Sequence, residues 1–344
     1  MTDVLSRFSE PTRQWFAGAF EAPTAAQLGA WESISTGAHT LVVAPTGSGK
    51  TLSAFLWSLD RLAATPAGHP GTRVLYVSPL KALAVDVERN LRSPLVGITQ
   101  TARRLGLEPP EITVGVRSGD TSATDRRALI RTPPDILITT PESLFLMLTS
   151  AARETLAGVE TVIVDEVHAV AGTKRGSHLA LSLERLDVLL GRPAQRIGLS
   201  ATVRPHEEVG RFLAGAAPIR IVAPPSAKTW DLTVRVPVED MTELGVQPEL
   251  SDDGMPAVPQ AGSIWPHVEE QIVDLIVAHR STIVFANSRR LAERLTARLN
   301  EIHAEREGEA VDHRPRPPAQ LGAPTEVAFG AQPLLARAHH GSVS

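Results

Sequence analysis

A short glycine-rich segment, APTGSGKT at residues 44–51, follows the apolar run Thr40–Ala44 and leads into a helix-forming pattern. Gly47 and Gly49 allow the backbone to turn so that successive N–H groups point towards one side. A turn of this kind, between a strand and the N-terminus of a helix, binds phosphate groups through those N–H groups and the helix dipole. Ala44 stands where the pattern usually has its first glycine. The flanking strand and helix favour a phosphate-binding loop over the alternative, a plain strand-to-helix turn.

Short apolar runs alternate with longer helical patterns from about residue 37 onwards. The runs are rich in Val, Ile and Leu, as strands are when both faces of a parallel sheet are buried. The predicted strands are Thr40–Ala44, Arg73–Val77, Ile112–Val116, Asp135–Thr139, Thr161–Val164, Arg196–Leu199 and Ile219–Val222. The predicted helices are Leu52–Ala63, Ala82–Leu105, Ser122–Ile130, Glu142–Leu156 and Gly176–Leu190. Pro94 lies inside the second of these helices, which we expect to be kinked or broken there.

Changes in composition divide the chain into four segments. They are an N-terminal helical segment at 1–36, an α/β domain at 37–222, a connector at 223–265 and the beginning of a second α/β domain at 266–344. The connector contains clustered prolines, the stretch SDDGMPAVPQAGS and one alternating run at Leu232–Val238. In the last segment we predict a helix at His267–Ala278, a strand at Thr282–Ala286 and a helix at Arg289–His303. Residues 305–333 are predicted to be a flexible excursion.

The composition excludes several classes of function. The 344 residues contain no cysteine, so the chain has no disulfides, thiolate metal ligands or cysteine nucleophiles. It shows no export signal and no apolar run of membrane-spanning length, and we expect a cytoplasmic protein without membrane contact. The net charge of -4 means that any nucleic-acid contact depends on locally placed Lys and Arg. Aromatic residues make up only 4%, which argues against a platform of exposed rings for stacking bases.

Two polar segments, DEVH at residues 165–168 and SAT at residues 200–202, each directly follow a predicted strand. Most adjacent acidic pairs are solvated loop charges, but this pair follows the phosphate-binding loop at the spacing expected of the metal-holding strand in the same sheet. Asp165 is therefore predicted to hold magnesium, and Glu166 to position and deprotonate the water that attacks a γ-phosphate. His168 and SAT are weak signals by themselves, because an ordinary loop histidine and a helix N-cap or turn are the common alternatives.

The phosphate-binding loop supplies the other half of this predicted magnesium-ATP site. Lys50 is expected to neutralise β- and γ-phosphate oxygens, which makes it a catalytic residue together with Asp165 and Glu166. The Thr51 hydroxyl is expected to bind Mg²⁺ alongside Asp165. The predicted ATP-binding residues of the loop are Thr46, Gly47, Ser48, Gly49, Lys50 and Thr51. ATP and Mg²⁺ are the predicted cofactors.

Several segments resemble, in their order, the motifs of superfamily 2 helicases of the DExH type. They are APTGSGKT at 44–51, SPLKAL at 78–83, TTPESL at 139–144, DEVH at 165–168 and SAT at 200–202. Further segments resemble the Lhr (large helicase-related) group of DNA helicases. They are PTAAQ at 23–27, GVRSGDT at 115–121, IWP at 264–266, TIVFANSRRLAERL at 282–295 and HHGSVS at 339–344. The resemblance implies a RecA-like P-loop domain at 37–222, followed by the truncated beginning of a second RecA-like domain at 266–344.

The resemblance also implies roles for single residues. Gln27 matches the glutamine that reads adenine, although an isolated Gln before a helix would ordinarily be an exposed surface residue. His168, Ser200 and Thr202 match residues that couple the nucleotide site to the nucleic-acid site. The residues that match contacts to the phosphates of one nucleic-acid strand are Pro79, Lys81, Arg117, Gly119, Thr140 and Pro141. For each member of this last set, a helix cap, a turn or a solvated charge is the alternative interpretation.

Together, these motifs predict an ATP-dependent helicase. The resemblance implies movement along single-stranded DNA in the 3′ to 5′ direction and unwinding of DNA or RNA:DNA duplexes. The family continues beyond HHGSVS with motifs V and VI, the second of which supplies an arginine to the γ-phosphate. An N-terminal fragment is expected to bind ATP and hydrolyse it poorly, because loss of such an arginine lowers phosphoryl-transfer rates by about 10³ to 10⁵. One alternative is an inactive fragment that binds nucleotide and nucleic acid without motor activity. Another is a P-loop ATPase acting on something else, which would leave SPLKAL, GVRSGDT and TTPESL unexplained.

Overall fold

The structure is a computed structural model, which describes residues 4–64, 71–79, 81–225, 231–238, 264–308 and 335–339. The chain divides into two compact units, residues 1–228 and 229–344. Within the described ranges, no helix is long and apolar enough to cross a membrane.

The first unit is built on one parallel sheet of seven strands. The strands are β1 (His39–Val43), β2 (Val74–Val77), β3 (Val114–Arg117), β4 (Ile136–Thr139), β5 (Thr161–Val164), β6 (Gln195–Ser200) and β7 (Ile219–Val222). Their order across the sheet is β3-β4-β2-β5-β6-β1-β7. Each predicted strand of this unit is present, and the parallel pairing confirms the predicted α/β fold.

Helices cover both faces of this sheet. They are α1 (Glu10–Ala19), α2 (Ala25–Ile34), α3 (Lys50–Ala63), α4 (Lys81–Arg104), α5 (Ala123–Arg131), α6 (Pro141–Leu148), α7 (Lys174–Leu190) and α8 (His206–Ala214). Val42 and Tyr76 lie in one core, with residues of α1 to α4, whereas Leu41 and Leu75 lie in the other, with residues of α6 to α8. The alternation follows from the two-residue period of a strand. The strands are almost wholly apolar because both of their faces are buried.

Pro94 lies within α4, which runs without interruption from Lys81 to Arg104. The prediction is a helix that is kinked or broken at Pro94, and the break is wrong. Proline removes one backbone hydrogen bond and clashes with the preceding turn, at a cost of about 3 kcal/mol. Leu91 and Ile98, on either side of Pro94, are both buried in the core, and their packing keeps the two halves of the helix in place.

The predicted helix Glu142–Leu156 is two elements, because α6 ends at Leu148 and a separate 3-10 helix spans Ala151–Leu156. The Thr149 and Ser150 hydroxyls donate to carbonyls of the last turn of α6, at 3.1 and 3.2 Å. Hydroxyl groups that bind these carbonyls compete with continued helical hydrogen bonding. The same two carbonyls, of Phe145 and Met147, also accept the backbone N–H groups of Thr149 and Ser150, so α6 ends where hydroxyls share its last acceptors.

The second unit contains α9 (Trp265–Ala278) and α10 (Arg289–Arg306), which confirm the two helices predicted there. Val273 of α9 packs with Leu299 and Ile302 of α10 in a small apolar core. The amphipathic spacing of these residues explains why the pair of helices forms.

The strand predicted at Thr282–Ala286 is absent, and Ile283 and Phe285 are 77% and 91% exposed. A strand needs a neighbour to take its N–H and C=O groups, and the described part of the second unit contains no other strand. The alternating run Leu232–Val238 forms no strand either. Outside the described residues lie parts of several predicted segments, namely residue 80 of SPLKAL, 226–230 and 239–263 of the connector, 309–333 of the excursion and 340–344 of the last motif.

Candidate functional site

The predicted motifs lie along one edge of the sheet, because parallel strands all end on the same side. APTGSGKT follows β1, SPLKAL follows β2, GVRSGDT spans the end of β3, TTPESL begins at the end of β4, DEVH follows β5 and SAT begins at the end of β6. The strand order places β1, β6 and β5 side by side, and β2, β4 and β3 side by side. The motifs predicted to bind ATP, together with SAT, predicted to couple the two sites, therefore form one group, and the motifs predicted to bind nucleic acid form another. The two groups meet between β5 and β2.

The phosphate-binding loop has the backbone that its glycines predict. Gly47 and Gly49 have φ angles of 83° and 78°, in the left-handed region that favours glycine. Lys50 is the first residue of α3, and its ammonium group donates to the carbonyls of Ala44 and Pro45, at 3.0 Å for Pro45. The lysine and the N-terminus of α3 thus place positive charge at one point, where a phosphate group would be stabilised.

Three hydroxyl side chains complete this loop. Ser48 Oγ is buried and has no hydrogen-bond partner among the described residues. Thr46 is exposed, and Thr51, the second residue of α3, is half-buried. Because a buried hydroxyl normally has a partner, Ser48 fits a loop whose polar groups face an oxygen-rich ligand.

Gln27 lies at the third position of α2, where it forms a capping box with Thr24. Its side-chain carbonyl accepts the Thr24 N–H at 2.9 Å, and its amide donates to the carbonyl of Gly49 at 3.5 Å. The Thr24 hydroxyl donates to the carbonyl of Ser48 at 2.8 Å. Gln27 is buried, so the alternative of an exposed surface glutamine is wrong; the capping box and the phosphate-binding loop enclose it. Its role in reading adenine stays a prediction.

Asp165 directly follows β5 and is 7% exposed. Its Oδ1 accepts the backbone N–H of Glu166 at 2.9 Å, and its Oδ2 accepts a hydrogen bond from the Tyr76 hydroxyl. Burial, and then the charges of Asp165 and Glu166, raise the pKa of Tyr76 well above its usual range, so the phenol stays a neutral donor. Sequence reasoning missed Tyr76, since a tyrosine in an apolar strand is ordinarily a core residue. The available signal was that Tyr76 is the chain's only tyrosine.

Glu166 has a φ of 46° and is the only non-glycine residue with positive φ in the described ranges. This backbone conformation costs a residue with a side chain about 1–3 kcal/mol, and such conformations cluster at functional sites. Here it turns the chain sharply after β5, so that Asp165 and Glu166 occupy successive positions at the carboxyl edge of the sheet. The strain marks Glu166 as a residue whose placement is imposed by its surroundings.

His168 joins the segment after β5 to the segment after β6. Its Nδ1 accepts the Ala201 N–H at 3.2 Å and lies 3.4 Å from Ser200 Oγ. The same nitrogen lies 3.3 Å from a carboxylate oxygen of Glu166. The structure therefore brings His168 and Ser200 together as predicted. Thr202, the third residue predicted to couple the two sites, is exposed and lies beyond these contacts.

Arg175 connects two of the motifs predicted to bind nucleic acid. It forms a bidentate ion pair with Glu142 of TTPESL, with one contact at 2.9 Å, and donates to the carbonyl of Pro79 in SPLKAL at 2.5 Å. The hydrogen bond between the two side chains lowers the pKa of Glu142 and raises the pKa of Arg175. Sequence reasoning missed Arg175, because it lies on α7 and only the tertiary structure brings it to these two motifs.

Two arginines near one another flank the loop after β3, one at the end of that strand and one on α5. Arg117 ends β3, and burial, followed by the like charge of Arg126, lowers the pKa of its guanidinium. Arg126 of α5 donates to the carbonyl of Gly119 at 2.9 Å and to that of Ser118 at 3.4 Å. Arg126 thus orders the loop that contains Gly119 and adds positive charge beside Arg117.

Thr140 and Pro141 form the start of α6. Thr140 is its N-cap and accepts the N–H of Ser143 at 3.4 Å, while Pro141 occupies the first helical position. The helix-cap alternative is therefore confirmed for this pair, and their predicted contact with nucleic acid stays a prediction. Lys81 is the first residue of α4, and its side chain lies outside the described part of the structure.

The oxygen groups at the end of β5 and the start of α3 suit magnesium. Asp165 provides a buried carboxylate and Thr51 a hydroxyl, and Mg²⁺ prefers such hard oxygen ligands. Mg²⁺ in nucleotide sites usually takes one or two protein ligands, with phosphate and water oxygens completing its shell. The residues present therefore fit a magnesium-nucleotide complex.

A family model described as DEAD/DEAH box helicase matches residues 24–209, which is more than half of the chain. The chain belongs to the DEAD/DEAH box helicase family. The matched range contains the phosphate-binding loop, DEVH and SAT, so family membership confirms the predicted relationship to superfamily 2 helicases.

Two curated relatives and one solved structure show which DEAD/DEAH box helicases this chain resembles. The chain is 68% identical to the Lhr helicase/probable uracil glycosylase of Mycolicibacterium smegmatis, over 99% of this chain and 22% of that protein. It is 52% identical to the Lhr helicase/uracil glycosylase of Escherichia coli, over 98% of this chain and 22% of that protein. A structure of Mycobacterium smegmatis helicase Lhr bound to ssDNA and AMP-PNP matches 90% of this chain and 37% of that chain, with a TM-score of 0.75 and 69% identity. The predicted resemblance to the Lhr group is confirmed, and the chain spans about a fifth of the length of the two curated relatives.

Proposed function

We propose that this chain is the ATP-binding part of a cytoplasmic helicase that moves along single-stranded DNA from 3′ to 5′ and unwinds DNA or RNA:DNA duplexes. The observation that supports this most directly is the arrangement of motifs along one sheet edge. The proposed nucleotide motifs after β1 and β5, with the proposed coupling motif SAT at the end of β6, adjoin the proposed nucleic-acid motifs at the ends of β2, β4 and β3. A structural relative that was solved with ssDNA and AMP-PNP supports the choice of both ligands.

In the proposed nucleotide site, the phosphates of ATP lie on the backbone N–H groups that begin α3. Lys50 leaves the loop carbonyls and neutralises β- and γ-phosphate oxygens. Thr51 and Asp165 would hold Mg²⁺, which when bound neutralises further phosphate charge. Glu166 orients the attacking water and accepts its proton. Gln27, buried against the phosphate-binding loop, is proposed to read the adenine.

The contact between His168 and Ser200 is proposed to couple the two sites. If the Glu166 side chain moves on hydrolysis, its contact with His168 changes, because their side chains lie 3.3 Å apart. His168 in turn contacts the backbone of Ala201, after β6. Thr202 is proposed to extend this coupling towards the nucleic acid.

One strand of nucleic acid is proposed to lie across the ends of β2, β4 and β3. The residues proposed to hold it are Pro79, Lys81, Arg117, Gly119, Thr140 and Pro141. Backbone N–H groups, hydroxyls and a few cations bind a sugar-phosphate backbone without reading bases, as an enzyme that moves over any sequence requires. The N-terminus of α6, at Thr140 and Pro141, adds a helix dipole that favours a phosphate there.

A second RecA-like domain is proposed to begin in residues 266–344, after a connector at 223–265, while residues 1–36 contribute Gln27 to the first domain. In this proposal ATP binding closes the two domains on each other, and hydrolysis opens them. Alternate closing and opening would convert hydrolysis into steps along the strand.

The test is single-turnover ATP hydrolysis by this chain, with and without single-stranded DNA. We expect DNA to stimulate hydrolysis, and heparin, a polyanion without the geometry of a nucleic acid, to stimulate it less. Lys50→Ala is expected to lose ATP binding. Glu166→Gln is expected to keep ATP binding and to lose turnover by about 10²- to 10⁴-fold, as removal of a general base does.

Each part of the proposal can fail separately. Equal ATP affinity in Lys50→Ala would contradict the phosphate-binding loop, and turnover that survives in Glu166→Gln would place the base elsewhere. Equal rates with and without DNA would contradict the nucleic-acid role. Binding of both ligands without hydrolysis would favour the alternative of a binding fragment without motor activity.

A further inference from the structure

Tyr76 lies in the middle of β2, fully buried, at the junction between the two groups of motifs. It pairs in register with Ile163 of the neighbouring β5. Asp165 lies two residues beyond Ile163, and because strand side chains alternate, Ile163 and Asp165 leave the chain on the same face. The register of two parallel strands therefore places the Tyr76 hydroxyl beneath the Asp165 carboxylate, to which it donates a hydrogen bond.

The ring of Tyr76 is fixed on its other side by Phe55. The two rings are stacked, with centroids 5.0 Å apart and planes 25° from parallel. Phe55 is fully buried on α3, the helix that begins at Lys50 of the phosphate-binding loop. The phenol thus spans from the helix that carries the phosphate-binding lysine to the carboxylate predicted to hold magnesium.

The carboxylate of Asp165 is restrained at both of its oxygens. Oδ1 accepts the Glu166 N–H at 2.9 Å, and Oδ2 accepts the Tyr76 hydroxyl. A carboxylate has about four acceptor positions, so two bonds leave the others available to a metal ion while fixing the plane of the group. Groups that hydrogen-bond to a metal ligand in this way orient it and tune its affinity for the ion.

We infer that Tyr76 is a positioning residue for the magnesium-binding carboxylate Asp165, and that its hydroxyl holds this carboxylate in the orientation that binds Mg²⁺ with ATP. The inference rests on the proposed magnesium role of Asp165. A purely structural tyrosine would need its hydroxyl only to satisfy a buried donor, and the two roles predict different behaviour when the hydroxyl is removed.

The test is Tyr76→Phe, which removes the hydroxyl and keeps the ring that stacks on Phe55. The measured quantity is the Mg²⁺ concentration that half-saturates binding of a fluorescent ATP analogue to the full chain. We expect it to rise by about 10- to 100-fold, the usual effect of removing a partner of a metal ligand. Nucleotide binding in EDTA and the melting temperature are expected to stay close to those of the matched control.

The control is Ser33→Ala, which removes another buried hydroxyl from the same unit. Ser33 Oγ lies 2.7 Å from Thr40 Oγ1, near the start of β1 and at the opposite end of the strand from the phosphate-binding loop. We expect it to leave the Mg²⁺ dependence unchanged. A Tyr76→Phe variant that loses stability and EDTA-resistant nucleotide binding, but keeps its Mg²⁺ dependence, would show a packing role and overturn the inference.

A double-mutant cycle tests whether Tyr76 acts through Asp165. In an Asp165→Ala background, Tyr76→Phe should have no further effect on the Mg²⁺ dependence, and a full additional effect would overturn the inference. The Mg²⁺ titration of the wild type separates failure of the proposed magnesium site from failure of the inference about Tyr76. Without any Mg²⁺ dependence of nucleotide binding in the wild type, the proposed site fails and the inference with it. With that dependence present and unaltered in Tyr76→Phe, only the inference fails.

Discussion

Comparing Gly49→Ala with Gly47→Ala separates two contributions to the loss of stability, namely backbone strain in the phosphate-binding loop and displacement of the Gln27 side chain. Both glycines have left-handed φ angles, 78° and 83°. An alanine at either position therefore costs about 1–2 kcal/mol in backbone strain. A Cβ atom on Gly47 would meet nothing within 4 Å, whereas a Cβ atom on Gly49 would lie 2.4 Å from Nε2 and 3.0 Å from Cδ of Gln27. The two substitutions are matched in strain and differ in this contact.

Gln27 would have to move in Gly49→Ala. Its amide is the end of a flexible side chain and can rotate away, but that rotation breaks its hydrogen bond with the N–H of Thr24. Loss of one such hydrogen bond costs about 1 kcal/mol. We therefore expect Gly49→Ala to destabilise the first unit by about 1 kcal/mol more than Gly47→Ala, which lowers the melting temperature by about a further 2–4 °C.

The assay is thermal unfolding without nucleotide, followed by far-ultraviolet circular dichroism. The variants are Gly47→Ala, Gly49→Ala, Gln27→Ala and the Gly49→Ala/Gln27→Ala double variant. In the Gln27→Ala background the clash is gone, so Gly49→Ala should cost no more than Gly47→Ala does alone. Equal losses for the two single glycine variants, or an undiminished extra loss in the Gln27→Ala background, would refute the reasoning.

Two further predictions concern charged and titratable groups. In Arg175→Ala, Glu142 and the Pro79 carbonyl lose their common partner. The ion pair between Arg175 and Glu142 is more than a third exposed and contributes about 1 kcal/mol, so we expect binding of a labelled DNA strand to weaken roughly fivefold. Arg175→Lys should fall between wild type and alanine, since lysine cannot form the bidentate pair; unchanged anisotropy titrations in both variants would contradict this. Burial, and then the charge of Arg196, lowers the pKa of His39 below the ordinary value of 6.5. Because the folded pKa is the lower one, the contribution of His39 to stability is present above pH 6.5 and is lost as the pH falls through the folded pKa. His39 Nδ1 accepts the backbone N–H of Arg196 at 3.0 Å, and the side-chain carbonyl of an asparagine can accept the same N–H. His39→Asn should therefore remove this part of the pH dependence of the unfolding free energy, measured by urea titration. Identical pH profiles for wild type and variant would show that another group is responsible.

The strands of the first unit were predictable because a buried parallel strand is a local signal. Val74–Val77 and Thr161–Val164, for example, are short runs of apolar, mostly β-branched residues, and these runs are strands whatever the neighbouring strand is. Elements that depend on competing partners were not predictable in the same way. The helix that begins at Pro141 ends where the Thr149 and Ser150 hydroxyls bind its carbonyls. Thr282–Ala286 has a strand composition but no neighbouring strand within the described residues.

The sequence by itself determined the chemistry of the candidate site. Gly49 and Lys50 follow one strand and Asp165 follows another, and these residue types at these places predict a magnesium-nucleotide site before any contact is known. The tertiary structure alone decided which groups are neighbours. It brought Tyr76 to Asp165, 89 positions away, and Arg175 to Glu142, 33 positions away. The physical reason is that strand order and register follow from packing the whole sheet between its two helical layers, and no local run of residues specifies them.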